Sequence, residues 1–393
     1  MHQPATGPLT GIRVLDLSAY IAGPYAAALL ADLGAQVIKI EPPQGDALRH
    51  YPSTLEAESR AFLGVNRSKR GMVIDLKKAE GLALFHKLAA RSDVVIHNFR
   101  PKVPERLGID YVSVRNIRAD IVYCALTGYG QKGPLAGKAG YDQVLQSMTG
   151  ICAFQGEDKN NPEIVYGSVV DFYAAALAAN AITAALLRRE RSGLGCEIDM
   201  SLLAAALAMQ ATRFIRAEGE PEGIGRDMRS GGVTGIHPCA GGTHLYLSAN
   251  TPHFWQALCE KTGLGDLAQD PRYDSVRKRA EKAAELIPRL RAVLATRPAL
   301  EWEKIFGEEV PCGAVRDMAE MFEHPQVMQQ QLAADLVHPA LTYRGLGSVF
   351  AFDGEKPESF AAPAMGQHSD VILGELGLSG AEIAALRLKG VVA

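Results

Sequence analysis

The chain has 393 residues, 47% of them hydrophobic and 22% charged, a composition typical of a soluble globular protein of two domains, or one large and one small. The formal net charge of −3 argues against a general binder of nucleic acid or of a membrane surface. The six cysteines lie far apart without a Cys-x-x-Cys pair, and no signal-peptide pattern is visible. Together these features predict a cytoplasmic enzyme with reduced thiols and no zinc site.

The first third of the chain alternates β-type runs with helical patterns. Strands are predicted at residues 12–17, 36–41, 72–76, 93–98 and 121–126, and helices at 25–33, 78–90, 104–107 and 111–117. The crossover from the first strand to the second implies parallel strands, so the pattern predicts an α/β fold with a Rossmann-like parallel sheet. The turn at 18–23 lacks the Gly-x-Gly-x-x-Gly spacing that binds a dinucleotide pyrophosphate, which disfavours a nicotinamide-dependent oxidoreductase.

Polar and glycine-rich segments follow the strand ends, where open α/β sheets bind their ligands. Asn98 and Thr127 each fall at such an end. Residues 128–140 contain five glycines and one proline and are therefore predicted to form a loop. This loop could bring backbone N–H groups and Lys132 or Lys138 to a ligand, although a mobile surface connection is the alternative.

An alanine-rich run begins at Phe172 and predicts a helix to about Arg189. Its few polar positions suggest burial nearly all round, and the run is too short for a confident membrane span. Asp171 is predicted at or beside the N-cap, where the first N–H groups and the helix dipole favour the ionised carboxylate. Such a carboxylate is a candidate nucleophile. A purely capping role for Asp171 stays open at this point, since N-cap aspartates are common.

The second half of the chain changes character after another helix. A short strand is predicted at 197–200, and Ser201 is expected to cap a helix that runs to about residue 217. Six glycines in residues 218–235 place a linker between a large domain, 1–217, and a small domain, 236–330. Beyond it a C-terminal segment covers residues 331–393. Helices are predicted at 252–262, 275–295, 299–307, from 324, at 369–376 and at 380–388, with loops and short strands at 335–360.

Other candidate chemistry is sparse. No histidine pair has metal-ligand spacing, and neither a Walker loop nor a Gly-x-Ser-x-Gly elbow is present. His97 at a strand end is expected to be a satisfied structural residue. The basic cluster of Arg67, Lys69 and Arg70 precedes the third strand and is interpreted either as a solvated turn or as a phosphate site.

Several short stretches in a fixed order resemble the family III CoA-transferases, the CaiB/BaiF group. They lie at residues 12–17 with 22–24, 33–42, 66–70 with 75–76, 98–101 with 106–108, 127–130, 140–142 and 167–171. The resemblance covers most of residues 10–215. It implies a large Rossmann-like domain built from both chain ends, to which 331–393 returns, a smaller α+β domain, and two chains interlocked as a homodimer.

The resemblance also implies an activity for Asp171. Its carboxylate would attack an acyl-CoA thioester to give a mixed anhydride, and the CoA thiolate would return to form an aspartyl-CoA thioester. A carboxylic acid would then accept the CoA. Because each step exchanges acyl bonds of similar energy, neither a metal nor a permanently bound cofactor is expected, and coenzyme A is a substrate.

The family's CoA contacts carry over onto twelve positions of this chain. They are Ile21, Ala22, Ile74, Lys77, Asn98, Phe99, Arg100, Arg106, Ala139, Gly140, Tyr141 and Asp142. Charge suits Lys77 and Arg106 to phosphate, and Phe99 can pack against pantetheine or adenine. The chain departs from the family pattern at two places. Ile21 stands where some members have a glutamine, and residues 230–232 are only the nearest match to the glycine-run loop of the formyl-CoA enzymes. Oxyanion donors are expected from the 128–140 loop or from residues 230–235.

Three alternatives to CoA transfer differ in their chemistry. A 2-methylacyl-CoA racemase of this family would need a histidine where the chain has Tyr141, and a phenol with a pKa near 10 is a poor proton shuttle. A nicotinamide-dependent oxidoreductase lacks its glycine fingerprint, and a CoA-binding protein without catalysis would give Asp171 no task. The resemblance favours succinyl-CoA or another dicarboxylyl-CoA as donor, with Arg213, Arg216 or Arg226 as candidates for binding a distal carboxylate.

Overall fold

A computed structural model describes residues 7–155, 160–219 and 233–393. The chain divides into two compact units. The first comprises residues up to Ile215 together with Pro325–Ala393, and the second comprises Arg216–His324. The domain boundaries predicted at 217, 235 and 330 stay a prediction.

Six parallel strands form the sheet of the first unit. They are β1 (Arg13–Asp16), β2 (Gln36–Glu41), β3 (Lys69–Val73), β4 (Val94–His97), β5 (Val122–Thr127) and β6 (Cys196–Ser201). Their order is β3-β2-β1-β4-β5-β6, and every neighbouring pair is parallel. The parallel sheet predicted from the alternating pattern is therefore confirmed.

The helices of this unit lie between and after the strands. In chain order they are α1 (Ala22–Asp32), α2 (Arg60–Val65), α3 (Ala79–Ala89), α4 (Val103–Leu107), α5 (Tyr111–Ile117), α6 (Asp142–Met148), α7 (Ile151–Gln155), α8 (Val169–Ser192) and α9 (Leu202–Ala208). The sequence reading missed α2 and α7, and it placed the third strand three residues too late.

Hydrophobic residues cover both faces of the sheet, as parallel sheets require. On one face Val14, Val94 and Val122 pack with α1 and α8, and the small side chains of Ala26 and Ala178 let those two helices approach closely. On the other face lie Leu15, Val95 and Tyr123 with α3 and α5. Successive residues of a strand point to opposite faces, so each strand contributes to both cores.

Helix α8 begins earlier than predicted and is not buried all round. Its first residue is Val169, after Ser168 in the left-handed region at φ 57°. Ala174 and Ile182 are fully buried in the core, while Phe172, Tyr173 and Leu187 are exposed. By length and composition these 24 residues could cross a membrane, but part of the helix is packed in the core of the first unit.

Helix α9 is shorter than predicted. Ser201 caps it as expected, its hydroxyl accepting from Ala204 N–H, but the helix ends at Ala208 instead of continuing to about residue 217. The Gln210 side-chain amide donates to the carbonyls of Ala206 and Thr149, both at 3.0 Å, and so binds one of the last helix carbonyls in place of a further backbone N–H.

Residues Pro325–Ala393 complete the first unit. They contain α16 (Pro325–Gln329), the antiparallel pair β10 (Ala333–His338) and β11 (Leu341–Leu346), and the helices α17 (Ser369–Glu375) and α18 (Gly380–Leu388). Backbone hydrogen bonds join them to the N-terminal part: Ser68 N–H donates to Phe360 and Asp75 N–H to Val391.

The second unit has its own core around Trp255, Leu286 and Trp302. Its antiparallel sheet consists of β7 (Gly235–Pro238), β8 (His244–Leu247) and β9 (Cys312–Ala314). Its helices are α10 (Pro252–Thr262), α11 (Gly265–Ala268), α12 (Val276–Glu281), α13 (Ala283–Leu294), α14 (Ala299–Phe306) and α15 (Met318–Met321). The single helix predicted at 275–295 is divided at Lys282, whose backbone is not helical.

Candidate active site

A cavity of about 170 Å³ opens at the carboxyl ends of the central strands, where the strand order reverses between β1 and β4. Ligands of open α/β sheets bind in this place. The described residues that line it are Tyr20, Ile21, Ala22, Asn98, Phe99, Arg100, Pro101, Leu126, Thr127, Gly128, Ala136, Lys138, Ala139, Gly140, Tyr141, Asp171 and Leu202. Asp171 is the single carboxylate among them.

Most of the predicted site residues meet at this cavity. Those that line it are Ile21, Ala22, Asn98, Phe99, Arg100, Ala139, Gly140, Tyr141 and Asp171. Ile74 and Lys77 instead line a second cavity of about 280 Å³, and Phe99 belongs to the walls of both. Arg106 is exposed on α4 and is not among the described residues of either wall, while Asp142 is buried behind the first cavity.

The turn between β1 and α1 forms one wall and is fixed by buried polar groups. The Asn98 side chain accepts from Ala19 N–H at 2.9 Å and donates to Ala19 C=O at 2.6 Å. Lys39 Nζ donates to Ser18 C=O at 2.8 Å and pairs with Asp46. Among the described residues no side chain caps α1 and none of its first turn is acidic, so that turn presents Ala22 to the cavity without a protein anion from this part of the chain.

The glycine-rich loop at 128–140 forms the opposite wall. Its two ends touch, because a Cβ added to Gly128 would lie 2.8 Å from Gly140 Cα. This close approach admits only glycine at both positions and closes the loop at its base. Lys138 reaches the cavity wall, whereas Lys132 is not among the described lining residues.

Of the two roles left open for Asp171, the capping role is excluded, because another aspartate performs it. Asp171 is the third residue of α8. Asp142 Oδ2 accepts from the N–H groups of Val170 and Asp171 at 2.7 and 3.0 Å, and Gln146 donates to Oδ1 of the same carboxylate. The Asp142 carboxylate thereby satisfies two of the free donors at the start of α8 from a different helix.

The expectation that Asp171 is held ionised is wrong. Burial, with the nearby charge of Asp142, raises the pKa of Asp171 from its ordinary 3.8 to about 7. The helix dipole favours the anion but does not outweigh the loss of solvation. At neutral pH Asp171 therefore exchanges between the acid and the carboxylate, as a residue that carries acyl chemistry in a cleft often does.

The basic cluster before the third strand is neither a solvated turn nor a phosphate site. Arg67 is 1% exposed and paired with Asp32, while Lys69 is 1% exposed and donates to Asp16 at 2.8 Å. Arg70 pairs with Glu375 at 2.8 Å. These cations hold the fold together, and none of them lines the cavity among the residues described there.

Other predicted residues lie away from the cavity or outside the described chain. His97 is only half satisfied: its Nδ1 accepts from Phe99 N–H, but its buried Nε2 has no partner, and burial lowers its pKa to about 4. Arg213 stacks over Phe154 at 4.5 Å, and Arg216 is exposed. Arg226, the segment 230–232 and most of the predicted linker lie outside the described residues.

Sequence reasoning missed several lining residues. Tyr20, Pro101, Leu126, Ala136 and Leu202 were not singled out. Tyr20 lies in the turn after β1, and Leu202 directly follows β6. In open α/β sheets the residues just after strand ends often contact ligands. Within the described residues no cluster of His, Cys, Asp and Glu has the arrangement of a metal site.

Comparisons with known proteins agree with this geometry. The model of CoA-transferase family III matches residues 9–369. The chain belongs to CoA-transferase family III. This transferase is 34% identical to the succinate–glutarate CoA-transferase of Agrobacterium fabrum, over 94% of the chain and 96% of that protein.

Two further relatives extend the likeness. The succinyl-CoA–D-citramalate CoA-transferase of Chloroflexus aurantiacus is 31% identical, with 98% of each chain covered. The crystal structure of a CaiB/BaiF family protein from Brucella suis superposes with a TM-score of 0.81 at 29% identity, covering 94% of this transferase and 99% of that chain. The fold and the enzyme class of this transferase are thereby both those of CaiB/BaiF proteins.

Proposed function

We propose that this transferase moves CoA from an acyl-CoA to a carboxylic acid through covalent intermediates on Asp171. The observation that carries the proposal is the isolation of Asp171 as the one carboxylate among the described residues of the cavity wall. Its surroundings supply cations from Arg100 and Lys138 and the uncapped first turn of α1. These groups suit a negatively charged, phosphate-bearing substrate brought to a nucleophile.

The reaction balances without a further reactant. An Asp171 oxygen attacks the thioester carbonyl, and the C–S bond breaks to give a mixed anhydride and CoA thiolate. The thiolate attacks the aspartyl carbonyl, which releases the first acid and leaves an aspartyl-CoA thioester. The second acid attacks this thioester, and the C–S bond breaks to give a second mixed anhydride and CoA thiolate. The thiolate then attacks the acyl carbonyl of the second acid, which forms the new acyl-CoA and restores the Asp171 carboxylate.

Each tetrahedral intermediate places negative charge on a carbonyl oxygen. We assign its stabilisation to backbone N–H groups beside the cavity, from the first turn of α1 at Ala22 and from the 128–140 loop. Donors fixed by a buried framework lower such a barrier because they need no reorganisation during the reaction. The Asn98 contacts to Ala19 and the closed loop base at Gly128 supply that rigidity.

The second cavity fits the nucleotide end of CoA. It is lined mainly by apolar side chains, including Leu17, Ile40 and Ile74, with Lys77 on its wall. An adenine ring would bury its faces there, and Lys77 would contact a phosphate. Phe99, shared by the two walls, would then pack against the pantetheine that joins them.

Dicarboxylates are the proposed acid class. The names of two relatives pair succinate with glutarate and succinyl-CoA with D-citramalate. In this chain Arg100 and Lys138 line the cavity and replace the arginines expected from the sequence as partners for a distal carboxylate. Screening succinyl-CoA against a panel of mono- and dicarboxylic acids tests the assignment, and equal rates with monocarboxylic acids would contradict it.

Trapping with hydroxylamine tests the covalent step. Incubation with an acyl-CoA and hydroxylamine should convert Asp171 to a hydroxamate, detected by peptide mass spectrometry. Asp171→Asn should abolish both the label and CoA transfer, while Asp75→Asn, at the other cavity, should retain the label. An unmodified Asp171 in an active enzyme would contradict the mechanism.

A racemase of the same fold remains the second candidate. Among the described residues that line the cavity there is no histidine, and Tyr141 takes the position that a histidine would need. Incorporation of deuterium at C2 of a 2-methylacyl-CoA, with no acceptor acid present, would favour that activity over transfer.

We also propose that the enzyme works in the cytoplasm as an interlocked homodimer. Exposed apolar side chains near the start of α8 support an interface, since Tyr166 is 94% exposed and Phe172 and Tyr173 are exposed beside it. Light scattering should give twice the chain mass, and a monomer at micromolar concentration would contradict the proposal.

A further inference from the structure

Tyr20 combines a strained backbone with a place on the cavity wall. Its φ is 63°, in the left-handed region that residues other than glycine, asparagine and aspartate rarely adopt. Strain of this kind persists where the surroundings impose it and is frequent at functional sites. A glycine would remove the strain, so the presence of tyrosine here calls for a task of its side chain.

Polar side chains from three segments of the chain keep Tyr20 in this conformation. Asp46 Oδ1 accepts from Tyr20 N–H at 3.2 Å, and Lys39 pairs with the same carboxylate. Asn98 holds both backbone groups of the preceding residue, Ala19. The turn is thereby rigid, and the direction of the tyrosine side chain into the cavity wall is fixed with it.

The Tyr20 side chain meets a second phenol. Its ring packs edge-on against Tyr141, with centroids 5.6 Å apart and planes at 75°. The neighbouring Tyr141 side chain, followed by burial, raises the pKa of Tyr20 to about 12. The Tyr20 hydroxyl group therefore stays protonated and available as a donor at any pH at which the enzyme would be assayed.

We propose that Tyr20 is a specificity-determining residue, which with Tyr141 binds the carboxylate group of the acid that exchanges with CoA. This inference rests on the proposed function. Two adjacent phenols match the two oxygens of a carboxylate, and each gives a charge-assisted hydrogen bond. Tyr20, Tyr141 and Asp171 line the same cavity of about 170 Å³, so a carboxylate bound near Asp171 lies within reach of both phenols.

The acid should depend on this pair more than the acyl-CoA does. An acyl-CoA is held along its whole nucleotide and pantetheine, whereas a free acid has only the contacts around its carboxylate and chain. Tyr20→Phe keeps the ring against Tyr141 and removes one donor. It should raise the KM of the acid at least about tenfold, the usual effect of losing a hydrogen bond to a charged group, and leave the KM of the acyl-CoA within about twofold.

The experiment compares Tyr20→Phe, Tyr141→Phe and the double variant, with Tyr246→Phe, exposed in the second unit, as the matched control. Tyr20→Gly serves as a second test, because glycine accepts the left-handed backbone while losing the whole side chain. For each variant we would measure the KM of succinate and of succinyl-CoA by the exchange of isotope-labelled succinate into succinyl-CoA, and the rate at which succinyl-CoA and hydroxylamine label Asp171. Thermal denaturation checks that every variant is folded.

Outcomes separate this inference from the proposed function. A raised KM for succinate in Tyr20→Phe and Tyr20→Gly, with labelling of Asp171 at the parent's rate, supports it. An unchanged KM for succinate in both folded variants, with labelling intact, overturns the role of Tyr20 and leaves the transfer mechanism standing. Absence of labelling in the parent enzyme would instead remove the proposed function on which the inference depends.

Discussion

Two carboxylates meet at the first turn of α8, and they differ in what surrounds them. Asp142 accepts two backbone N–H groups and the Gln146 amide, which are donors that favour a charged acceptor. No such set of donors surrounds Asp171, one turn into the helix, among the described residues, and burial dominates its pKa. The same backbone N–H groups cannot serve both side chains, so the capping role of one leaves the other free for chemistry.

The raised pKa of Asp171 predicts an acidic limb in the pH profile. Because the carboxylate is the attacking form, kcat/KM should rise with pH and level off above about pH 7. Asp142→Asn removes the neighbouring charge but keeps an oxygen that can accept the two N–H groups. The limb should move to lower pH, though not to 4, since burial is the larger cause of the shift.

Asp142→Asn should also lower the stability of the fold, and this loss serves as a control. The introduced amide N–H₂ would face the Gln146 amide nitrogen, so thermal stability should fall by about 1–3 kcal/mol while the pH limb moves. Asp142→Ala should be at least as unstable and should lower activity at every pH. An unmoved limb in a folded Asp142→Asn enzyme would show that the charge of Asp142 does not act on Asp171.

The stability of the enzyme should depend on the same titration, but it should fall with rising pH where activity rises. The folded pKa of Asp171 lies above the unfolded value, so the folded state binds its proton more tightly and loses stability as pH rises from about 4 to about 7. Asp171→Asn removes this loss. It should be more stable than the parent by about 2–4 kcal/mol at pH 8 and indistinguishable from it near pH 4, measured by urea denaturation.

At the scale of elements, the loop between β5 and α6 is closed by backbone contact between Gly128 and Gly140. Gly140→Ala puts a Cβ 2.8 Å from Gly128 Cα, so one side of the loop base must move. CoA transfer should fall at least about tenfold, because small displacements of positioned groups are costly in catalysis. Gly137→Ala is the matched control, since its added Cβ meets no atom within 4 Å. Equal activities for the two variants would exclude a role for the closed base.

Elements were predictable where propensity and packing agree. β2, α5, α10 and α18 have the predicted bounds or nearly so, because their turn residues and periodic patterns are local. The start of α8 was missed by three residues, since a side chain from Asp142, 27 positions before Val169, provides its cap. The same reasoning failed for Arg67 and Lys69, whose buried partners come from β1 and α1 and leave no local trace.

At the scale of the molecule, the C-terminal residues complete the first unit. Val391 and Val392 are 1% and 3% exposed, and Val392 pairs with Ile74 beside the second cavity. Deleting residues 391–393 should destabilise the enzyme by about 3–5 kcal/mol, the burial energy of two valines, and raise the KM of acyl-CoA. Leu388→Ala, at an exposed position, is the control and should change neither quantity in thermal melts or kinetics.

The resemblance located most of the site but not its geometry. Nine of the predicted residues line one cavity with Asp171 among them, because the matching stretches follow successive strand ends. The position of Ile74 and Lys77 at a separate cavity, and the exposed position of Arg106, depend on how β3 and α4 pack and could not be read from spacing. Tyr20 went unnoticed because nothing in composition reports a left-handed backbone.

The bond between Ile74 and Val392 has a consequence for biosynthesis. The wall of the second cavity pairs with a segment that is translated long after it, so the first unit cannot be completed until Pro325–Ala393 has been made. Until then, its unpaired edge would be open to chaperones and to association with other nascent chains. A polypeptide stalled before residue 391 should therefore be far more sensitive to protease than a chain that includes residues 391–393.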